Sequence, residues 1–131
     1  MFNAKRNDVS KFTHGAWMSF MGAKWKVARA GNPVYEKALE ESGYRKAESP
    51  EQKQRALHEA IAKGVLLDWG EGDVVDNDGH PIPYSVENCA TILAENPDLV
   101  NRVIAESNDL SHYRREDVGA QAKKLQTTSS S

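Results

Sequence analysis

Residues 64–88, GVLLDWGEGDVVDNDGHPIPYSVEN, decide the fold of this chain. An apolar helix end runs into Trp69, a loop rich in Gly and Asp follows, and a turn bracketed by two prolines leads into a new helix. Trp69, Ile82 and Tyr84 give the loop enough apolar surface to pack against the domain. The stretch therefore predicts an ordered central loop in which Trp69 and Tyr84 are structural anchors.

The segment before the central loop has a pattern typical of a β-hairpin. Lys24 and Lys26 alternate with Trp25 and Val27, which is the period of two that a half-buried strand shows. Gly22 lies between two aromatic, β-prone runs, where a short turn would join them. We expect strands near residues 15–20 and 24–29. Because a lone hairpin is only marginally stable, its apolar face must lie on the helices or on another subunit.

Two helix start signals follow the hairpin. Asn32 before Pro33 is an N-cap followed by a proline in the first helical position, and Gly43 supplies a stop. Ser49, three residues before Gln52, has the spacing of a capping box and predicts a helix over residues 50–67.

Two further helices are expected after the loop, one capped by Ser85 and one beginning at Asn96-Pro97, with a weaker last helix over residues 113–125. The sequence thus predicts a mainly α fold, a small helical domain with an N-terminal β-hairpin and an ordered central loop. We expect a flexible N-terminus at residues 1–11, a single domain at residues 12–125 and a disordered tail at residues 126–131.

Composition excludes several function classes. The 131 residues are 39% apolar and 27% charged, which is ordinary for a globular protein, and the net charge of −2 creates no global field for nucleic acid or an anionic membrane. No apolar run reaches the roughly 20 residues of a membrane helix, and the first residues lack the apolar core of a signal peptide. Cys89 is the single cysteine and suits a reducing cytosol.

Motifs for catalysis or metal binding are weak. With Gly79 as the turn glycine, Asp76 and Asp78 fit two positions of a calcium loop, but Val74 and Ser85 occupy two essential ligand positions. The four histidines are scattered, and Cys89 lies on an apolar helix stripe, which is typical of a buried small hydrophobe. We therefore predict no enzyme, no catalytic residue, no cofactor and no metal site.

Aromatic residues are concentrated in the first third of the chain. Trp17, Phe20, Trp25 and Tyr35 either pack in the core or form a subunit interface, since Trp and Tyr dominate interface energetics. Because two short strands turn only one face to the helices, we name these four residues as the candidate interface for self-association. Trp25 among nearby lysines also has the composition of a nucleic-acid surface, although a solvated strand face opposite a buried Trp25 is favoured.

Several runs resemble tail assembly chaperones of long-tailed, lambda-like bacteriophages (siphophages). The first run lies within residues 12–35, the second within residues 64–88, and the third begins at Asn96 and is followed downstream by Tyr113 and Arg114. Their shared order and spacing cover most of residues 12–125. None of the runs encodes a reaction.

The resemblance implies a non-enzymatic assembly factor. Such chaperones bind the long helical tape measure protein in the host cytoplasm, keep it soluble, help recruit tail tube subunits, and are absent from the mature virion. The family typically also makes a longer product by ribosomal frameshifting, and we expect a homo-oligomer that includes this form. The alternative function is a small nucleic-acid-binding phage or bacterial regulator, which would need a basic recognition helix, whereas the helices here carry mixed charge.

Overall fold

A sheet of three strands combines with helices in the computed structural model, which describes residues 1–116. The elements run in the order α1 (Ser10–His14), β1 (Ala16–Phe20), β2 (Ala23–Val27), α2 (Pro33–Glu41), α3 (Pro50–Gly64), β3 (Leu66–Trp69), α4 (Val86–Glu95) and α5 (Pro97–Ser107). Two short 3₁₀ turns, Tyr44–Lys46 and Leu110–Tyr113, complete the described chain. The domain is therefore mixed α/β, and the prediction of a mainly α fold is wrong.

The predicted N-terminal hairpin is confirmed. Strands β1 and β2 are antiparallel, with Phe20 opposite Ala23 and Trp17 opposite Lys26. Met21 and Gly22 form the two-residue turn, and both have positive φ angles, 51° and 76°. This is the turn geometry that matches the right-handed twist of a two-residue hairpin.

The fold-class error arises at the end of α3. The expected helix over residues 50–67 ends at Gly64, and Leu66–Trp69 is a strand that pairs antiparallel with β2. A short apolar run fits a helix end and a buried strand equally well by periodicity, so the sequence did not separate the two. Pairing decides the outcome, because β3 satisfies the second edge of the central strand β2.

The helix caps follow the sequence signals. The Asn32 side chain accepts hydrogen bonds from the backbone N–H groups of Val34 and Tyr35, while the Ser49 and Ser85 side chains cap α3 and α4. Asn32 also donates 2.8 Å to the carbonyl of Gly64 at the end of α3. Asn32, Tyr35 and Gly64 together form what we call the α2–α3 seam.

Aromatic rings join the sheet to the central loop. The rings of Phe20 and Trp25 stack at 5.5 Å, Trp25 meets Trp69 edge-to-face at 6.3 Å, and Trp69 meets Tyr84 edge-to-face at 4.9 Å. We call these four residues the aromatic stack. The rest of the core includes Leu66 of β3, Leu93 of α4 and other buried residues. The stack thus ties the hairpin, β3 and the loop into one core.

The two ends of the described chain lie side by side. Asn7 and Arg114 form an isolated bridge, and the N–H of Asp8 donates 2.7 Å to the carbonyl of Tyr113. The sequence prediction of a flexible N-terminus at residues 1–11 did not include these contacts. Tyr113 closes a 3₁₀ turn and does not begin an α-helix. Residues 117–125 of the helix predicted over residues 113–125, and the tail at 126–131, lie outside the described residues. Within residues 1–116, no helix has both the length and the apolar character needed to span a membrane.

Candidate functional site

The four candidate interface residues do not form one surface. Trp17 is 54% exposed, but Phe20 and Trp25 are each only 5% exposed, and Tyr35 is half-buried. Successive side chains of a strand point to opposite faces, so Trp17 and Phe20 of β1 cannot share a face. Of the four residues, the structure thus leaves only Trp17 largely open to a partner.

Trp25 is a core residue and not part of a nucleic-acid surface. Its ring lies between those of Phe20 and Trp69, and its indole N–H donates 2.8 Å to the carbonyl of Phe20. Because Trp25 is only 5% exposed and its polar atom is bonded within the domain, its ring is not available for base stacking.

Trp69 and Tyr84 hold the central loop by hydrogen bonds as well as by packing. Trp69 is 4% exposed, and its indole N–H donates 2.9 Å to the carbonyl of Ile82 at the far end of the loop. The Tyr84 hydroxyl lies 2.7 Å from the carbonyl of Ala62 and 2.8 Å from that of Leu66. The loop is therefore fastened to the end of α3 and to β3.

An open groove, which we call the helical groove, runs between α3 and the corner of α4 and α5. Its volume is about 730 Å³. Apolar residues of α4 and α5 line it: Ala90, Leu93, Ala94, Pro97 and Val100. The sequence patterns did not predict the groove, because its shape depends on how α3 packs against α4.

The polar rim of the helical groove carries mixed charge. Glu51, Arg55 and His58 contribute from α3, and Asn101 contributes from α5. Burial lowers the pKa of His58, which favours its neutral form. The groove therefore combines an apolar floor with a nearly neutral rim, and this suits an amphipathic segment better than a charged small molecule.

Two clusters among the described residues have the composition of metal ligands. Asp76, Asp78 and His80 are exposed in the central loop, and the Asp76 carboxylate accepts hydrogen bonds from the backbone N–H groups of the other two. The second cluster is Glu106, Asp109 and His112. Glu106 is paired with His112 and Arg102, which hold the pKa of its carboxyl below the usual value. Asp76 and Glu106, one carboxylate in each cluster, are thus already engaged in hydrogen bonds within the domain.

Cys89 is a packed thiol. It is 0% exposed, and burial raises its pKa to about 12. Since the thiolate is the nucleophile, a pKa this far above neutral gives the residue almost no reactive form. The sequence interpretation of Cys89 as a buried small hydrophobe is confirmed.

Comparison with protein families gives one match. The model of the family described as YdaY prophage protein matches residues 25–124, which include strand β3, the central loop and the helical groove. No curated protein and no solved structure matches the chain. The match covers well over half of the sequence and indicates a phage-derived protein. The chain therefore belongs to the YdaY prophage protein family.

Proposed function

We propose that this protein is a non-enzymatic tail assembly chaperone of a long-tailed phage. It binds the tape measure protein in the host cytoplasm, keeps it soluble, helps recruit tail tube subunits and is absent from the mature virion. Two facts support the phage setting: the family match over residues 25–124 and the resemblance to such chaperones over most of residues 12–125. The partners include a longer, frameshifted form of the same chain.

The observation that carries the proposal is the helical groove. An α-helix with its side chains is about 10–12 Å wide, and amphipathic helices bind by laying an apolar face into a groove lined by apolar residues. The groove offers such a floor along α4 and α5, from Ala90 to Val100, beside the polar face of α3. A long helical client presents apolar positions at regular spacing, so many copies of the chaperone can bind along one client.

The test is co-expression with the tape measure protein encoded by the same phage, followed by affinity capture from the soluble fraction. Ala94 and Ala105 make a matched pair, because both are exposed alanines on helices but only Ala94 lines the groove. We expect Ala94→Glu to reduce the captured tape measure protein about tenfold, the effect of losing about 1.4 kcal/mol of binding. Ala105→Glu should capture as much as the unmodified chain.

Two outcomes contradict the proposal at different levels. If Ala94→Glu captures the client as well as Ala105→Glu does, the client binds elsewhere. If the tape measure protein stays insoluble in every co-expression, the chain is not its chaperone. Retention of nucleic acid in place of a helical protein would instead favour the alternative function, a small nucleic-acid-binding regulator.

A further inference from the structure

A second concave surface, which we call the acidic cleft, lies between the hairpin turn, the central loop and the α4–α5 corner. Its volume is about 710 Å³, and its apolar lining includes Trp25, Ile82 and Leu99. Met21 and Val75, at 48% and 49% exposure, also line it. Among the residues that the structure describes, its charged lining is entirely acidic: Asp73, Asp76, Asp78 and Glu95.

Two of the four carboxylates are used within the domain and two are not. The Asp73 carboxylate accepts a hydrogen bond of 2.8 Å from the backbone N–H of Lys24, and that of Asp76 accepts bonds from the loop backbone. The carboxylates of Asp78 and Glu95 accept no hydrogen bond from any residue in the range 1–116. The acidic cleft therefore fits a large apolar side chain that has cations on either side of it.

A surface of that composition lies on the same protein. Trp17, Lys24 and Lys26 form what we call the Trp17 patch, on the solvent-facing side of the sheet. Trp17 is directly opposite Lys26 across the hairpin, and Lys24 is opposite Ser19, so the two lysines are the direct and diagonal neighbours of the indole. Asp68, opposite Lys26 on β3, leaves the patch with a net positive charge.

The two surfaces point away from each other. Lys24 and Trp25 are consecutive in β2, so their side chains lie on opposite faces of the sheet. Lys24 belongs to the Trp17 patch and Trp25 to the lining of the acidic cleft. One copy therefore cannot place its own Trp17 in its own cleft.

We propose that the Trp17 patch of one copy docks in the acidic cleft of the next copy. Trp17 inserts against the apolar lining, and Lys24 and Lys26 pair with carboxylates of the rim such as Asp78 and Glu95. A tryptophan offers roughly 150–250 Å² of contact surface, and tryptophans are over-represented among the residues that dominate interface energies. The rim charges fix the orientation of the contact and speed association.

Such a contact joins two different surfaces and is head-to-tail. It generates a ring if the rotation closes and an open helical array if it does not. No residue of the helical groove lines either surface, so self-association leaves the groove residues outside the contact. This inference does not rest on the chaperone function and fails or succeeds separately from it.

The first test is sedimentation velocity of the purified chain between about 1 μM and about 1 mM, a range that covers weak interfaces. We expect the mass to grow beyond the monomer with concentration. Trp17→Ser should weaken self-association about 30-fold or more, as loss of a dominant interface residue does. Val34→Ser is the matched control, because Val34 is 45% exposed on α2 and outside both surfaces.

The second test exchanges the charges. Lys24→Glu with Lys26→Glu makes the patch acidic, and Asp78→Lys with Glu95→Lys makes the cleft basic. Each double variant alone should be monomeric, since like charges then meet at the contact. An equimolar mixture of the two variants should regain the mass of the unmodified chain, because each patch again meets a cleft of opposite charge.

Three results would overturn the inference. The first is a strictly monomeric mass at the highest concentration. The second is self-association that Trp17→Ser leaves intact. The third is a mixture of charge variants that stays monomeric although circular dichroism shows that both are folded.

Discussion

The aromatic stack and the α2–α3 seam hold neighbouring parts of this domain together by opposite means. In the stack, four large rings fill the space between the hairpin, β3 and the central loop, with centroids 4.9–6.3 Å apart. In the seam, contact depends on a missing side chain: a Cβ on Gly64 would lie 2.4 Å from the Tyr35 Cα. The stack should therefore be sensitive to removal of atoms, and the seam to their addition.

The largest effect is expected from removing a ring of the stack. Trp69→Ala should lower the free energy of unfolding by about 3–5 kcal/mol, because both the lost contacts of the ring and the cavity left behind destabilise the folded state. Denaturant unfolding measures this, with Val34→Ala as the control. Val34 is 45% exposed and outside the surfaces proposed for self-association, so its truncation should cost less than about 0.5 kcal/mol. A loss below about 1 kcal/mol for Trp69→Ala would show that the loop is not anchored there.

The second prediction concerns the α2–α3 seam. Whether Gly64→Ala raises or lowers stability tells whether the two helices are in close contact. Alanine is a better helix former than glycine by about 1 kcal/mol, so Gly→Ala in a helix ordinarily stabilises. Gly64→Ala should instead destabilise by about 1–3 kcal/mol, since the new methyl group meets the α2 backbone. Thermal unfolding of Gly64→Ala measures this effect. Lys63→Ala, at the exposed neighbouring position, is the control for a change to alanine that makes no new contact. Stabilisation by Gly64→Ala would mean that the helices are not in close contact.

A smaller loss is expected where the stack carries a polar group. Tyr84→Phe keeps the ring but removes the hydroxyl that lies within 2.8 Å of the carbonyls of Ala62 and Leu66. The cost should be about 0.5–1.5 kcal/mol, the usual net value of one hydrogen bond. Denaturant unfolding measures this cost, and the slope of the free energy of unfolding against denaturant concentration should stay unchanged. Were Tyr84→Phe as costly as Trp69→Ala, the hydroxyl would be more important than the packing.

The smallest effect concerns the thiol next to the stack. With the pKa of Cys89 at about 12, only about one molecule in 10⁴ carries a thiolate at pH 8, so alkylation should be far slower in the folded chain than in denaturant. Mass spectrometry of iodoacetamide labelling measures both rates. Because burial raises this pKa above the unfolded value, the stability linked to the group is present below about pH 9 and is lost as the pH rises toward 12. Equal labelling rates would show that water reaches this side of the core.

Local signals in the sequence predicted much of the fold. Asn32, Ser49 and Ser85 mark helix starts by side-chain chemistry that acts within three residues, and all three caps form. The hairpin likewise depends on neighbours in the chain. Strand β3 was missed because it pairs with β2, a distant part of the sequence. Pairing at that distance leaves little trace in periodicity.

The candidate interface residues show a different limit of prediction from sequence. Trp17 and Phe20 differ by an odd number of positions, so the sequence implies that one of them leaves the core, but not which one. The turn at Met21 and Gly22 settles it, because it places Met18 opposite Trp25 and so puts Phe20 on the buried face. The helical groove and the acidic cleft depend on the packing of separate helices and loops, which no short pattern encodes.

The order of strands in the sheet also has a consequence for the timing of folding. β1 reaches β2 through a two-residue turn, and such hairpins form in about 1–10 μs. β3 reaches β2 only after the whole α2–α3 segment has been synthesised and closed as a loop. At ribosomal rates of about 5–20 residues per second, Trp69 is synthesised on the order of seconds after β2. Until β3 is made, the apolar face of β2 that carries Trp25 lacks its partner strand, so non-native contacts of the hairpin can form before the sheet is complete.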